Sequence, residues 1–366
     1  MMKKIKAWIK LVNTKGIGPT KIKQLINKFG SPDNFIGCDR KELKDLNFIT
    51  PAIRDQLDKK GDPKQWSKIA KLIEKYEIKF VSILDENYPY LLKNIFSPPP
   101  FLFYRGNLKE SDCRRSLAVV GTRKPSNYGK LMTKRIVGEL SEYKFTIISG
   151  LAYGIDTVAH LSAIEGNTRT IAVLGTGCEQ IYPPRNRELA ERILENGALI
   201  SEYVPGTKIE KWNFPKRNRI ISGLSLGCLV TEGKRNSGAL LTAKFALDQN
   251  RDLFALPGDI NRNQAQGPNF LISKGAKLIS SAKSITDEYE LLINETKARE
   301  EVEFPKLNTQ EKEVFEIIVN KKPQVSFDEL IIESKLTVNE LSSILFNLEI
   351  KSLIKKVAGN KIIPLY

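Results

Sequence analysis

Histidine is almost missing from this chain: His160 is the one copy in 366 residues. A Ser-His-Asp set or a histidine-rich metal site has little to be built from, so no catalytic triad and no metal are expected. Cysteine is sparse too. Cys38, Cys113, Cys178 and Cys228 lie far apart and form no CxxC pair, which argues against a zinc site or a disulfide framework and leaves small buried or incidental thiols. No apolar run approaches the roughly 18 residues of a membrane span. The opening MMKKIKAWIKLV also lacks the apolar stretch of a signal peptide, so the cytoplasm is the default location. There is no GxxxxGK[ST] motif and no GxGxxG fingerprint, and nucleotide triphosphate hydrolysis finds no support. No internal repeat or low-complexity tract is present.

Positive charge, by contrast, is in excess. The chain holds 58 Lys and Arg against 42 Asp and Glu, a formal net of +16. Such a balance favours a polyanionic partner. Its distribution is uneven: residues 1–85 carry 19 basic and 10 acidic side chains, residues 86–290 carry 28 and 20, and residues 291–366 carry 11 and 12. An anion-binding surface is therefore expected in the first two segments and not in the last. A membrane surface would call for a basic amphipathic helix with a wide apolar face, and none stands out.

The periodicity predicts an α/β protein with an extended Rossmann-like, mainly parallel sheet as its core. Residues 1–79 read as a small all-helical domain of helix-hairpin-helix or SAM-like form, with helical patterns at 3–12, within GIGPTKIKQLINKFG from Pro19 to Gly30, near 40–47 and at 64–76. Residues 80–290 form the core. After a proline-punctuated arm with one or two strands, short apolar strands (117–120, 145–149, 170–175, 198–202, 226–232, 252–258 and 276–279) alternate with amphipathic helices, one of them beginning at Pro215. Residues 291–305 look like a charged linker. Residues 306–366 show three helical patterns and two extended runs, the outline of a winged helix.

In such sheets ligands sit beyond the carboxyl ends of the strands. The turns there read GTRKPSNYG, SGLAYGID, GTG, TEGKRNSG and PGD, and each could set bare backbone beside a ligand. Five on one rim predict a binding rim. Gly121, Thr122, Arg123 and Lys124 in the first turn, Ser149 and Gly150 in the second, and Asn236, Ser237 and Gly238 in the fourth are its candidate residues. The segment KWNFPKRNR adds Lys211, Lys216, Arg217 and Arg219, interleaved with Trp212 and Phe214. Cations hold phosphates and aromatic rings stack on unpaired bases, so this mixture suits single-stranded nucleic acid. The competing reading has the aromatics anchoring a loop and the cations on a solvated helix face.

Other residues weigh less. His160 reads as a structural hydrogen-bonding residue and Asp156 as a helix N-cap. Glu232 is the one acidic rim residue that could act as a base. In the front domain, Gly16 and Gly18, with Lys15 and Lys21, could give a second phosphate contact, though glycine turns between helices also serve packing alone. In the tail, the helix TVNELSSILFNLEI has no Lys or Arg, which points to protein contact or regulation rather than duplex readout.

Taken together, VGTRKPSNYG, SGLAYGIDTVAH, IAVLGTGCEQIYPPRN, FPKRNRIISGLS, TEGKRNSGALLTAKFALDQNRDLFALPG and GPNFLISKGA resemble, in correct order over roughly residues 80 to 290, the DprA (Smf) family of DNA-processing proteins. The helical front and winged-helix tail look like those of its longer members. The resemblance implies a homodimer, formed through the core, that binds and protects single-stranded DNA and helps load the RecA recombinase in natural transformation. It implies no enzyme and no cofactor. It places Arg123 on DNA phosphate, matches Lys211 and Phe214 to a lysine followed three residues later by a stacking aromatic, and matches Arg217 and Arg219 to the family's basic pair. The alternative is a nucleotide-processing Rossmann enzyme of the phosphoribohydrolase kind, whose PGGxGTxxE motif is not found here.

Overall fold

The computed structural model describes residues 2–38, 42, 46–59, 61–290, 307–321, 324–334, 336–351, 353–357 and 361–364. The chain divides into two compact units, residues 1–293 and 294–366. The expected linker at 291–305 lies outside the described residues.

The first unit opens with helices α1 (Met2–Asn13), α2 (Pro19–Phe29), α3 (Pro32–Gly37), α4 (Pro51–Asp58) and α5 (Pro63–Lys75). In α1 the buried stripe Ile5, Trp8, Ile9 follows helical spacing. Ser31, Thr50 and Asp62 cap α3, α4 and α5 through their side chains, each directly before a proline. The helix expected near 40–47 falls mostly outside the described residues, and α3 and α4 on either side of it were not anticipated.

The core is a nine-stranded sheet. Its strands are β1 (Lys79–Ser82), β2 (Phe101–Gly106), β3 (Ser116–Val120), β4 (Thr146–Ser149), β5 (Thr170–Val173), β6 (Ala198–Ser201), β7 (Gly227–Val230), β8 (Asp252–Ala255) and β9 (Lys277–Leu278). The order is β1-β2-β6-β5-β4-β3-β7-β8-β9. From β6 to β9 every neighbouring pair is parallel, while β1–β2 and β2–β6 are antiparallel. The connecting helices include α6 (Tyr90–Lys93), α7 (Asn127–Glu142), α8 (Ile155–Glu165), α9 (Arg187–Asn196), α10 (Asn213–Gly223), α11 (Gly238–Asp248), α12 (Gln266–Ser273) and α13 (Lys283–Thr286). The chain winds outward from β3 to β6, returns, and continues from β7 to β9. The order therefore reverses between β3 and β7, the position at which a doubly wound sheet leaves a crevice.

Alternate strand residues feed opposite faces. Ala118, Val120 and Val230 pack with Ile220 and Ile221 of α10 and Ala243 of α11, whereas Leu117, Val119 and Leu229 pack with Ile136 and Val137 of α7 and Ala159 of α8. Burial on both faces explains why the strands read as unbroken apolar runs. Helix α10 begins at Asn213, two residues before the expected Pro215, which sits in the first turn where a missing N–H costs no helical bond.

The front helices share a core with the sheet edge. Phe101 and Phe103 of β2 are buried among Trp8, Leu11, Ile69 and Ile73, and the Trp8 and Phe101 rings meet edge-on at 6.3 Å. The second unit, taken by itself, has helices Thr309–Asn320, Phe327–Ser334 and Val338–Ile350 with a three-stranded antiparallel sheet of order β10 (Val325–Ser326), β12 (Lys361–Pro364), β11 (Ile354–Val357). Capping boxes at Asn308/Glu311 and Thr337/Glu340 fix two helix starts. This is a winged helix, and its last helix leaves Val338, Phe346 and Ile350 exposed.

Candidate nucleic-acid interface

A cleft of about 320 Å³ opens where the strand order reverses, at the carboxyl ends of β3 and β7. The first turn supplies Gly121, Thr122 and Arg123 to its wall, α10 supplies Phe214, Arg217 and Asn218, and the start of α11 supplies Ser237, Gly238 and Thr242. Three segments drawn from residues 121 to 242 thus meet at one site.

Its cations are of two kinds. Arg123 and Lys124 are exposed on the β3–α7 turn, and Lys211 and Lys216 are exposed on the α10 side. Phe214 is half-buried in the cleft wall, its ring 5.3 Å from that of Tyr182. Trp212 is 68% exposed, so it does not anchor the loop in the core.

Arg217 and Arg219 differ from those exposed cations. Arg217 is 4% exposed. Its Nη1 donates to the carbonyls of Gly150, at 2.8 Å, and Val173. Burial pushes its pKa down to about 10, opposed by the nearby Asp156 carboxylate, so it stays a cation at neutral pH. Arg219 is held by Glu202, Nη2 to Oε2 at 2.5 Å, with both side chains largely buried. Ser149 and Gly150 are also internal: Ser149 Oγ donates to the Val119 carbonyl at 2.7 Å, and both backbone polar groups of Gly150 are engaged, by Asp156 and Arg217. They support the wall through these bonds.

Asp156 lies beneath the same turn, accepting from the N–H of Gly150 at 3.2 Å and of Ala152 at 3.3 Å. Burial raises its pKa, with Arg217 opposing the rise. His160 is fully buried, with Nδ1 2.7 Å from Thr170 Oγ1, and burial depresses its pKa to about 3. It is a buried group that is not among the residues lining the cleft. Glu232 is engaged as well: Ser126 Oγ donates to Oε1 at 2.5 Å and the Ser126 N–H to Oε2 at 2.9 Å.

The start of α11 is better suited to an anion. Ser237 occupies its N-cap position but makes no side-chain cap, so the first-turn N–H groups are not taken by that hydroxyl. Nothing lies within 4 Å of where a Cβ on Gly238 would stand. Asn236 beside it is exposed, and so are Lys234 and Arg235, which the sequence reading passed over. The Arg235 guanidinium sits 4.3 Å above the Phe270 ring, which holds it in place at the rim. The signal was the KR pair inside a turn already singled out for its glycines.

In the front domain, residues 12–18 with Thr20 and Lys21 surround a separate open hollow. Gly16 adopts φ +92°, and its carbonyl accepts from Lys21 Nζ at 2.8 Å, while the Lys15 N–H donates to Gln56. Lys15 and Gly18 are exposed there. Among the described residues, no group of three or more His, Cys, Asp or Glu is placed to hold a metal ion, and no helix is long and apolar enough to cross a membrane.

Comparison with known proteins bears on this site. Residues 79–290 match the family model for DNA recombination-mediator protein A, and residues 304–360 match that for the DprA winged helix domain. Protein Smf of Synechocystis is 40% identical over 285 residues, covering 76% of this chain and 71% of the relative. DNA processing protein DprA of Bacillus subtilis is 42% identical over 226 residues, 61% of this chain and 76% of the relative. The crystal structure of DNA processing protein A from Streptococcus pneumoniae superposes with a TM-score of 0.64 at 32% identity, over 79% of this chain and 98% of that one. A structure addressing the single-stranded DNA binding mode of DNA processing protein A from Helicobacter pylori superposes with a TM-score of 0.53 at 29% identity, over 58% of this chain and 96% of that one. With its core, its tail and its relatives in agreement, the chain belongs to the DprA/Smf family of DNA recombination-mediator proteins.

Proposed function

We propose that this protein binds single-stranded DNA across the β3/β7 cleft and acts as a recombination mediator, protecting incoming strands and assisting RecA loading in natural transformation. The observation that carries the reading is the cleft wall itself, where the exposed Arg123 and the half-buried Phe214 line one hollow, with Lys124 next to Arg123 and Lys211 and Lys216 flanking Phe214 in the chain, all exposed. Backbone charge and a stacking face at one site suit a strand whose bases are free. The single-strand binding described for the Helicobacter pylori relative supports it. Asn236, Ser237 and Gly238 extend the phosphate track onto α11, and the exposed backbone around Gly16 and Gly18, with Lys15 and Lys21, is a second contact.

Within this reading the protein works in the cytoplasm as a homodimer, without a cofactor and without catalysing a reaction. Strand β9 supports a pairing surface: among the described residues it pairs with β8 on one side, and Leu278 on it is 49% exposed. Gel-shift titration with oligo(dT) and with duplex of equal length tests the function, run beside a nucleotide-hydrolysis assay and a RecA strand-exchange assay. Preference for oligo(dT) without turnover is expected. Equal binding of both DNAs, or turnover abolished by Glu232→Gln, overturns the reading.

A further inference from the structure

Resting on the single-strand reading above, we propose that Glu232 is a positioning residue: it clamps the turn 122–126 from the β7 side and so aims Arg123 at the DNA. Four independent features converge on it. The Thr122 N–H donates to the Glu232 carbonyl at 2.7 Å. Both side-chain oxygens are taken by Ser126, one by its hydroxyl and one by its N–H. The same Ser126 hydroxyl accepts from the Gly129 N–H at 3.1 Å and caps α7. A Cβ on Gly129 would overlap the Glu232 carboxylate, so the helix lies against it with no space between. Glu232 is 4% exposed, which keeps water from competing for these bonds.

The turn is gripped from its other side as well. The Ile155 N–H donates to the Thr122 carbonyl at 3.1 Å, and a Cβ on Gly154 would overlap that carbonyl. Gln264 Nε2 reaches the Lys124 carbonyl at 3.3 Å. Both polar backbone groups of Thr122 are thus fixed, and the next side chain, Arg123, is left exposed at the cleft. A guanidinium on an anchored backbone loses less freedom on meeting phosphate than one on a loose turn. Glu232 joins the two strands that flank the switch point, β3 and β7, through their outgoing turns.

The carboxylate's charge is not what this role needs. A glutamine at 232 can accept from the Ser126 N–H through its oxygen and donate to the Ser126 hydroxyl through its amide. An alanine can do neither and leaves two donors unmet. The test is oligo(dT) affinity for the parent, Arg123→Ala, Glu232→Ala, Glu232→Gln, Ser126→Ala, and the double variants with Arg123→Ala and with Lys211→Ala. Glu232→Ala is expected to weaken binding about tenfold. It should also erase most of the effect of Arg123→Ala while adding independently to Lys211→Ala, and Glu232→Gln should stay within about threefold of the parent. General destabilisation would not single out Arg123. Should Glu232→Ala fail to fold, Ser126→Ala carries the same expected coupling. Parent-like binding by Glu232→Ala, additivity with Arg123→Ala, or equal loss in Glu232→Gln overturns the assignment. If Arg123→Ala itself binds like the parent, the cleft reading fails and this inference with it. If Arg123→Ala weakens binding and Glu232→Ala does not, the clamp alone fails.

Discussion

Arg217 Nη1 donates 2.8 Å to the carbonyl of Gly150, tying helix α10 to the turn that leaves β4. A residue whose charge suggests a ligand contact also braces the cleft wall from within. Its loss should therefore register first in stability. Arg217→Ala strips the Gly150 and Val173 carbonyls of a donor and leaves Asp156 without its neighbouring cation, a change of the class that costs about 3–5 kcal/mol. Thermal unfolding should show a large fall in Tm. Arg123→Ala should leave Tm unchanged while weakening oligo(dT) binding.

Phe214 should contribute through its ring face. Phe214→Ala is expected to weaken oligo(dT) binding by about 1–3 kcal/mol without altering the salt slope, because stacking releases no counterions. Phe214→Trp should largely keep the affinity. Fluorescence titration at several salt concentrations separates the two quantities.

The exposed cations should behave in the complementary manner. For single strands the slope of log K against log salt is about 0.7 per phosphate neutralised. Arg123→Ala and Lys211→Ala should each lower its magnitude by about that amount, whatever the base sequence. Arg219→Ala should not, because its guanidinium is occupied by Glu202.

His160 predicts a pH dependence of stability. Thr170 Oγ1 donates to the Ile147 carbonyl, so His160 Nδ1–H is the donor toward that hydroxyl and Nε2 is bare. Burial, with Arg217 adding to it, holds the folded pKa near 3, below the ordinary value of 6.5. As pH falls the unfolded chain takes the proton first. This contribution is complete above the unfolded pKa of about 6.5 and drains toward the folded one, by at most about 1.4 kcal/mol per pH unit. Chemical denaturation of the parent and of His160→Gln between pH 7.5 and about 4.5 checks it. The parent should lose more stability than the variant over that range.

Much of this was legible from the sequence. Most of the core strands announced themselves as short apolar runs, several of them ending in a glycine turn, and residues from the turns after β3, β4 and β7 line the cleft. Helices α3 and α4 escaped notice although Ser31-Pro32 and Thr50-Pro51 are cap-and-first-turn pairs, because each is too short to show periodicity. Arg217 could have been read as internal: it stands at the head of the stripe Arg217, Ile220, Ile221, Leu224, whose spacing is that of a buried helix face. Charge outweighed position in the reading of KRNR. Arg219 offered no such clue, since its partner Glu202 comes from the turn after β6, and neither did the bond from Glu232 to Ser126, which spans 106 residues.

The aromatic seam formed by Trp8, Phe80, Phe101 and Phe103 has a further consequence. It makes the front helices upholstery for the sheet edge and not a detachable module. A chain shortened to begin at β1 would present three phenylalanines to water on strands that pair edge to edge. Such a fragment should self-associate unless Phe80, Phe101 and Phe103 are replaced by polar residues, whatever becomes of its grip on DNA.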